Sequence, residues 1–557
     1  MKKLMKTLNQ QTKMLCKIFN SVGASVVLFD KDEIIFKEHY GYINKETKLK
    51  TDDDSFFMIG SNTKVLTSLS IFKLLEENKL TLEDDIKKYI PEFSIKSTFE
   101  YEKITIANLL MHRSGIQSDL YNYIFDDTKD YHDIIDALKD TYLTSVPGTM
   151  YSYSNLGYTL LGIIIERISG LSYVDFINEH ISKPLNIDIK INPDLNNNPH
   201  LSLSYDKKHK PIKDLVACLL PAGSNTYMKI IDFIKIGQLF LNNGTVNDIQ
   251  ILKPETIELM KQLNLDNPID QQVNNAGYGL LHNEYQYGNA GKVYGHGGDT
   301  ICHHSFFSFI PDQNISMIVF TNTENAIMLS RVLGITILSI YLAKKGVQLP
   351  RKISNKYKHI DMNIDNYLGK YATNIGILDF KKDKKNNLTT IISKIPVKLI
   401  PCEDGFLQAY PIPLIYHLPF FKNQIKNIRL KLINYNNEDV LLLEQINKNQ
   451  KASILIGSKY IPNNEDNLWY KSLGEYEVIN YHHSKGTIKL ELDENKYLRV
   501  IIDLKIEKVI KYLRIENDHL SFVQGFGRET KDACFLEEKD NKIYITCNGI
   551  QGVKNKE

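Results

Sequence analysis

The chain has 557 residues, with Lys+Arg 68 against Asp+Glu 66 and 43% hydrophobic residues. At ~150 residues per domain this length predicts two to four domains with ample apolar material for cores. A net charge of +2 with no basic block at either end excludes a nucleic-acid or anionic-membrane surface, and 10% aromatic residues exclude a disordered chain.

The first segment, MKKLMKTLNQQTKMLCKIFNS, carries scattered basic residues, but Lys6, Gln10, Gln11, Lys13 and Lys17 interrupt any apolar run. It predicts a short amphipathic helix over residues 1–20 and not a signal peptide. Residues 24–29 and 33–38 predict a β-pair around Asp30-Lys31-Asp32. Val65, Leu69, Phe72 and Leu75 recur at helical spacing, and residues 156–168 form a second apolar helix. Strands over 306–310 and 316–321 follow, then a helix over about 329–345. Strands at both ends with helices between predict an α/β sandwich and not an alternating βαβ chain. The longest apolar stretch, near 332–343, is short of the ~20 residues of a membrane span.

Beyond Pro350 a polar linker over 351–362 leads into strand-rich sequence. Residues 488–492, 497–502 and 543–545 alternate or pair around polar turns. Leu368-Gly369-Lys370-Tyr371 reappears as Leu473-Gly474-Glu475-Tyr476. That spacing predicts two small β-domains, 363–462 and 463–557, behind a main domain over 21–350. Cys16, Cys218, Cys302, Cys402, Cys534 and Cys547 show no C-x-x-C and are read as reduced thiols, so the expected setting is cytoplasmic.

Three motifs carry chemistry. Ser61 and Lys64 form Ser-x-x-Lys at the mouth of an apolar helix, one turn apart, so an ammonium lies beside a hydroxyl that needs a base to become nucleophilic. The same pattern at Ser70 falls inside the helix, and at Ser204 it runs into Lys207-Lys208-His209-Lys210, read as a solvated loop. Tyr153 and Asn155 form Tyr-x-Asn between Pro147-Gly148 and the second helix, and a phenol with a reference pKa near ~10 can share a proton with a lysine near ~10.4. His296-Gly297-Gly298, on a presumed edge strand, leaves room for a ligand at the sheet edge. His303-His304 and His482-His483 invite a metal, but no carboxylate or cysteine lies at ligand spacing, so none is assigned.

In order, spacing and setting the motifs resemble the serine β-lactamase and penicillin-recognising enzyme superfamily, in its class C-like branch of β-lactamases, D-Ala-D-Ala carboxypeptidases, D-aminopeptidases and esterases. Lys79 to Asp85, Ile104 to Gly115, Pro221-Ala222-Gly223 and Tyr278-Gly279-Leu280 also match family landmarks. The resemblance implies an antiparallel sheet with a helical subdomain, followed here by two all-β domains. It implies Ser61 as nucleophile, Lys64 as its proton partner and Tyr153 as general base and acid. Asn155, His296 and Gly298 would line the substrate site, with the backbone N–H groups of Ser61 and Asp299 as oxyanion hole. His112 and Ser114 would shape a loop. No cofactor is implied.

The expected substrate is a small amide or short peptide containing D-residues. A carboxylic ester or a β-lactam is the alternative within the fold, and an acylation-dependent sensor the alternative outside enzymes. His296 in place of lysine, with acidic Asp299 beside it, lowers the positive potential for a β-lactam carboxylate. Removing the chain beyond about Ser354 is expected to change substrate preference more than acylation of a small reagent.

Overall fold

The computed structural model describes residues 2–124, 129–194, 197–212, 220–223, 226–263, 276–282, 287–348, 357–373, 376–392, 395–412, 427–435, 438–447, 450–481, 485–505, 508–525 and 529–555. Cys218, His482 and His483 lie outside them.

The main domain is built on an antiparallel sheet of strands β1 (Gly23–Phe29), β2 (Ile34–Asn44), β3 (Leu49–Lys50), β4 (Leu281–His282), β5 (Tyr294–Asp299), β6 (His304–Ile310) and β7 (Ile315–Thr321). Its order is β4-β5-β6-β7-β1-β2-β3. Every residue of β1 and β7 is buried, which is why both read as unbroken apolar runs. The two-residue period sends Val27, Phe29, Phe307 and Phe320 into the helical core and Val26, Leu28, Met317 and Val319 into the layer beneath α1 (Lys2–Ile18) and α5 (Ile327–Lys344). On the other face lie α2 (Thr63–Glu76), α3 (Asn155–Ser169) and α4 (Ile230–Leu241). The layers are those expected of the β-lactamase-like sandwich.

Two sequence expectations change here. With its leading turn, α5 gives a continuous helical stretch, Glu324–Lys344, long and apolar enough to cross a membrane. Leu329, Leu333, Ile337 and Leu338 are nevertheless fully buried in the layer shared with α1. Nor is β5 an edge strand: Gly295 and Tyr294 pair with Leu281 and His282 of β4, and the turn-ward residues His296 to Asp299 run on beyond that short neighbour.

The two all-β domains are closed eight-stranded antiparallel barrels, one from Gly369–Thr373 to Gln450–Lys459 and one from Gly474–Val478 to Ile550–Asn555. The repeated Leu-Gly-x-Tyr opens both: each glycine starts the first strand at positive φ, and Tyr371 and Tyr476 are fully buried. Cys534 and Cys547 face each other across a hairpin and form a disulfide, which corrects the reading of every cysteine as a reduced thiol.

Candidate active site

A short strand, Phe56–Met58, leads into a 3₁₀ turn at Gly60–Asn62 and then α2, placing Ser61 where a strand stops and a helix starts. Several contacts fix this turn. Ser305 Oγ donates to Ile59 O at 2.6 Å and accepts from Asn62 Nδ2 at 2.7 Å, while Thr63 Oγ1 donates to Gly60 O at 2.8 Å. Sequence reasoning missed Ser305, whose partners lie more than 240 positions away.

Lys64, fully buried, donates from Nζ to Ser61 Oγ at 3.1 Å, to Asn155 Oδ1 at 2.7 Å and to Ala222 O. Its ammonium also lies 4.9 Å from the Tyr153 ring centre and 5.5 Å from that of Tyr158. Ser70 Oγ bonds Leu66 O inside α2, as a serine within a helix does; Ser204 is buried in a two-residue strand, and Lys207-Lys208-His209-Lys210 after it form a largely exposed turn, as read.

Asn155 opens α3, whose cap is Ser154, accepting from Gly157 N at 3.0 Å. The preceding residues are organised by His112: its Nδ1 accepts from Ser154 N at 3.0 Å, and its ring stacks on Tyr153 at 4.2 Å. Behind Asn155 stands a residue that sequence reasoning passed over, Asp119, whose Oδ1 accepts from Asn155 Nδ2 at 2.7 Å.

On the opposite wall, the His296 ring centre lies 6.4 Å from that of Tyr153. Burial, with the Lys64 charge nearby, pushes its pKa down to about 4, so the ring is neutral at pH 7. Nδ1 donates to Gly297 O at 2.6 Å, which leaves Nε2 as the acceptor. Gly298 is packed against the serine turn: a Cβ there would lie 1.9 Å from Ile59 O. Gly60 approaches the same strand, where its Cβ would lie 3.0 Å from Asp299 N. The structure therefore brings Ser61, Lys64, Tyr153, Asn155, His296, Gly298 and the Asp299 backbone into one cleft.

Asp299 does not present the bare acidic charge expected of it. His304 Nδ1 bonds its Oδ1 at 3.0 Å, Arg331 pairs with Oδ2, and these contacts hold the carboxyl below the usual range. A carboxylate thus does meet His304 in space. His303 Nδ1 accepts from Met58 N at 3.2 Å, supporting the strand that leads to Ser61.

The sequence profile described as Beta-lactamase matches residues 15–340, more than half of the chain. The chain belongs to the beta-lactamase family. Of its curated relatives, Protein flp of Staphylococcus aureus (strain MW2) is 34% identical over 165 residues, 29% of this chain and 33% of that protein. The match thus spans about a third of that relative's length. Among solved structures, the octameric penicillin-binding protein homologue from Pyrococcus abyssi superposes with a TM-score of 0.55 at 22% identity, covering 82% of this chain and 99% of that one. SurE with D-Leu gives a TM-score of 0.58 at 17% identity, covering 83% and 100%. At these identities the likeness is one of fold, and it extends beyond the family-matched segment into the barrels.

Proposed function

We propose that this beta-lactamase family member is a serine hydrolase working through an acyl-enzyme on Ser61, with small amides or short peptides containing D-residues as its substrates. The observation that carries this reading is the buried Lys64 ammonium, 3.1 Å from Ser61 Oγ and 2.7 Å from Asn155 Oδ1.

In this reading the Ser61 hydroxyl proton passes to the Lys64–Tyr153 pair as Oγ attacks the substrate carbonyl carbon. The resulting oxyanion is held by the backbone N–H groups of Ser61 and Asp299. Tyr153 returns the proton to the leaving amine as the C–N bond breaks. Water, deprotonated by the same pair, then attacks the ester carbon and releases the acid, restoring Ser61. Neutral His296 offers an acceptor at the cleft wall, which suits a substrate ammonium or amide N–H better than a carboxylate. The D-residue preference draws on the fold likeness to SurE, solved with D-Leu.

A fluorophosphonate should label the wild-type chain on the Ser61 peptide, and a folded protein without that adduct would refute the reading. D- and L-aminoacyl amides, short-chain esters and nitrocefin, compared side by side, then rank the substrate classes. Steady turnover after the first acylation burst separates the enzyme from an acylation-dependent sensor, which would stop after one equivalent.

A further inference from the structure

The second barrel reaches the active site from behind. Its last hairpin, Lys542–Cys547 and Ile550–Asn555, turns over Asn548-Gly549, both at positive φ (+47° and +78°). This turn is pressed into the main domain at residues 119–122. Tyr121 N donates to Asn548 O at 2.8 Å, and a Cβ on Gly549 would lie 2.0 Å from Asn122 Oδ1.

The Asn548 side chain is 2% exposed and fully engaged. Nδ2 donates to Asp119 O at 3.3 Å and to Asp532 Oδ2 at 2.6 Å, and Oδ1 accepts from Lys511 Nζ. Lys511 in turn pairs with Glu529 at 3.0 Å, and Glu529 accepts from the Tyr121 hydroxyl. One branch of this buried network leads straight to the cleft. Asp119, itself 1% exposed, takes Asn155 Nδ2 on Oδ1 at 2.7 Å and the Ser118 hydroxyl on Oδ2 at 2.6 Å. An amide held between an ammonium and a carboxylate has one satisfactory orientation, oxygen to the cation and nitrogen to the anion. Asp119 thus sets which end of Asn155 faces Lys64, and Asn548 holds the main chain on which Asp119 sits.

We infer that Asn548 is a positioning residue for the acylation step: through Asp119 and Asn155, the second barrel fixes where Lys64 holds its ammonium beside Ser61. The inference rests on the Ser61 acyl-enzyme reading above. It also reverses the expectation that the C-terminal region bears on substrate preference more than on acylation, because this contact lies behind Lys64 and not along the substrate. A displacement of about 1 Å in such a group costs on the order of 100-fold in rate.

The test uses the full-length chain and a fluorophosphonate, with the rate constant at saturation separated from the binding constant. Asn548→Gly keeps the positive φ and removes the amide. It is expected to slow Ser61 acylation about 10- to 100-fold with reagent binding unchanged. Tyr121→Phe loosens the same interface at Glu529 without touching Asp119; it is expected to lower the melting temperature and leave acylation within about twofold. Should Asn548→Gly fail to fold, Asn548→Asp retains the turn and the shape but not the donor, and the same slowing is expected. Folded Asn548 variants that acylate like wild type, or no slower than Tyr121→Phe, would reduce the turn to a docking contact. A labelled wild type with indifferent Asn548 variants overturns this inference alone, whereas a wild type never labelled at Ser61 overturns the serine-hydrolase reading and this one with it.

Discussion

The imidazole of His112 lies flat against the ring of Tyr153, centres 4.2 Å apart and planes 30° apart. His112 holds φ at +56°, a region costly for any side chain, and is secured there by Ser152 N donating to its carbonyl at 2.8 Å and Ser154 N donating to its Nδ1 at 3.0 Å. This arrangement braces the Tyr153 ring over Lys64. His112→Ala is expected to lower kcat on the best amide substrate about 10- to 100-fold with little change in KM. His112→Gly, relieved of backbone strain, should unfold at higher urea than the alanine variant while remaining as slow.

Acid should weaken the fold through three buried histidines. His296 and His282 are pushed down to about 4 and His303 to about 3, chiefly by burial. An unfolded histidine takes up its proton near ~6.5, so below that pH the unfolded chain binds protons that the folded chain refuses. The share of stability set by these three histidines is therefore fully present above about pH 6.5 and falls as pH drops towards 4, by at most about 1.4 kcal/mol per unit for each histidine. Urea midpoints should decline across this window, and His296→Asn should make the decline shallower by one proton. An unchanged slope would contradict the assignment.

Adjacent glycines on β5 should respond oppositely to a methyl group. A Cβ on Gly298 would meet Ile59 O at 1.9 Å and Ser305 Oγ at 2.3 Å, whereas one on Gly297 has nothing nearer than Arg331 Nη2 at 3.6 Å. Gly298→Ala is expected to lose about 1–3 kcal/mol and most Ser61 labelling, since the backbone of the serine turn must move. Gly297→Ala should stay within about 0.5 kcal/mol of wild type by thermal unfolding.

Arg331 balances Asp299 at the cleft rim. Both side chains are about one-third exposed, so the effect of the pair is modest and screened by salt. Arg331→Ala should raise KM for a carboxylate-bearing substrate about two- to fivefold while sparing a neutral ester, and the difference should shrink at high salt. Equal changes for both substrates would place Arg331 in a packing role.

What could be read in advance depended on whether a residue's partners lie nearby. Ser61, Lys64 and Tyr153 were legible because a strand or turn before each and a helix after it mark the place. β1 and β7 were legible because burial on both faces leaves an unbroken apolar run. Asp119 sits in a loop with no period, and its role arises only from contacts 36 and 429 positions away. Barrel closure was hidden for a related reason: alternation identifies a strand but not its neighbour, so the pairing of Tyr371 with Lys459 leaves no local mark. Cys534 and Cys547 meet only once the hairpin register places their Cα atoms 4.5 Å apart.

The order of the central sheet has a consequence for biosynthesis. β1, which leaves the ribosome well before β7, pairs Phe29 with Ser316 and Ala24 with Thr321. At ~5–20 residues per second, about 290 intervening residues keep that strand waiting for its mate on the order of 15–60 s. Throughout that interval β2 is the neighbour it can reach, so a nascent apolar hairpin with one open side must be shielded until β7 emerges.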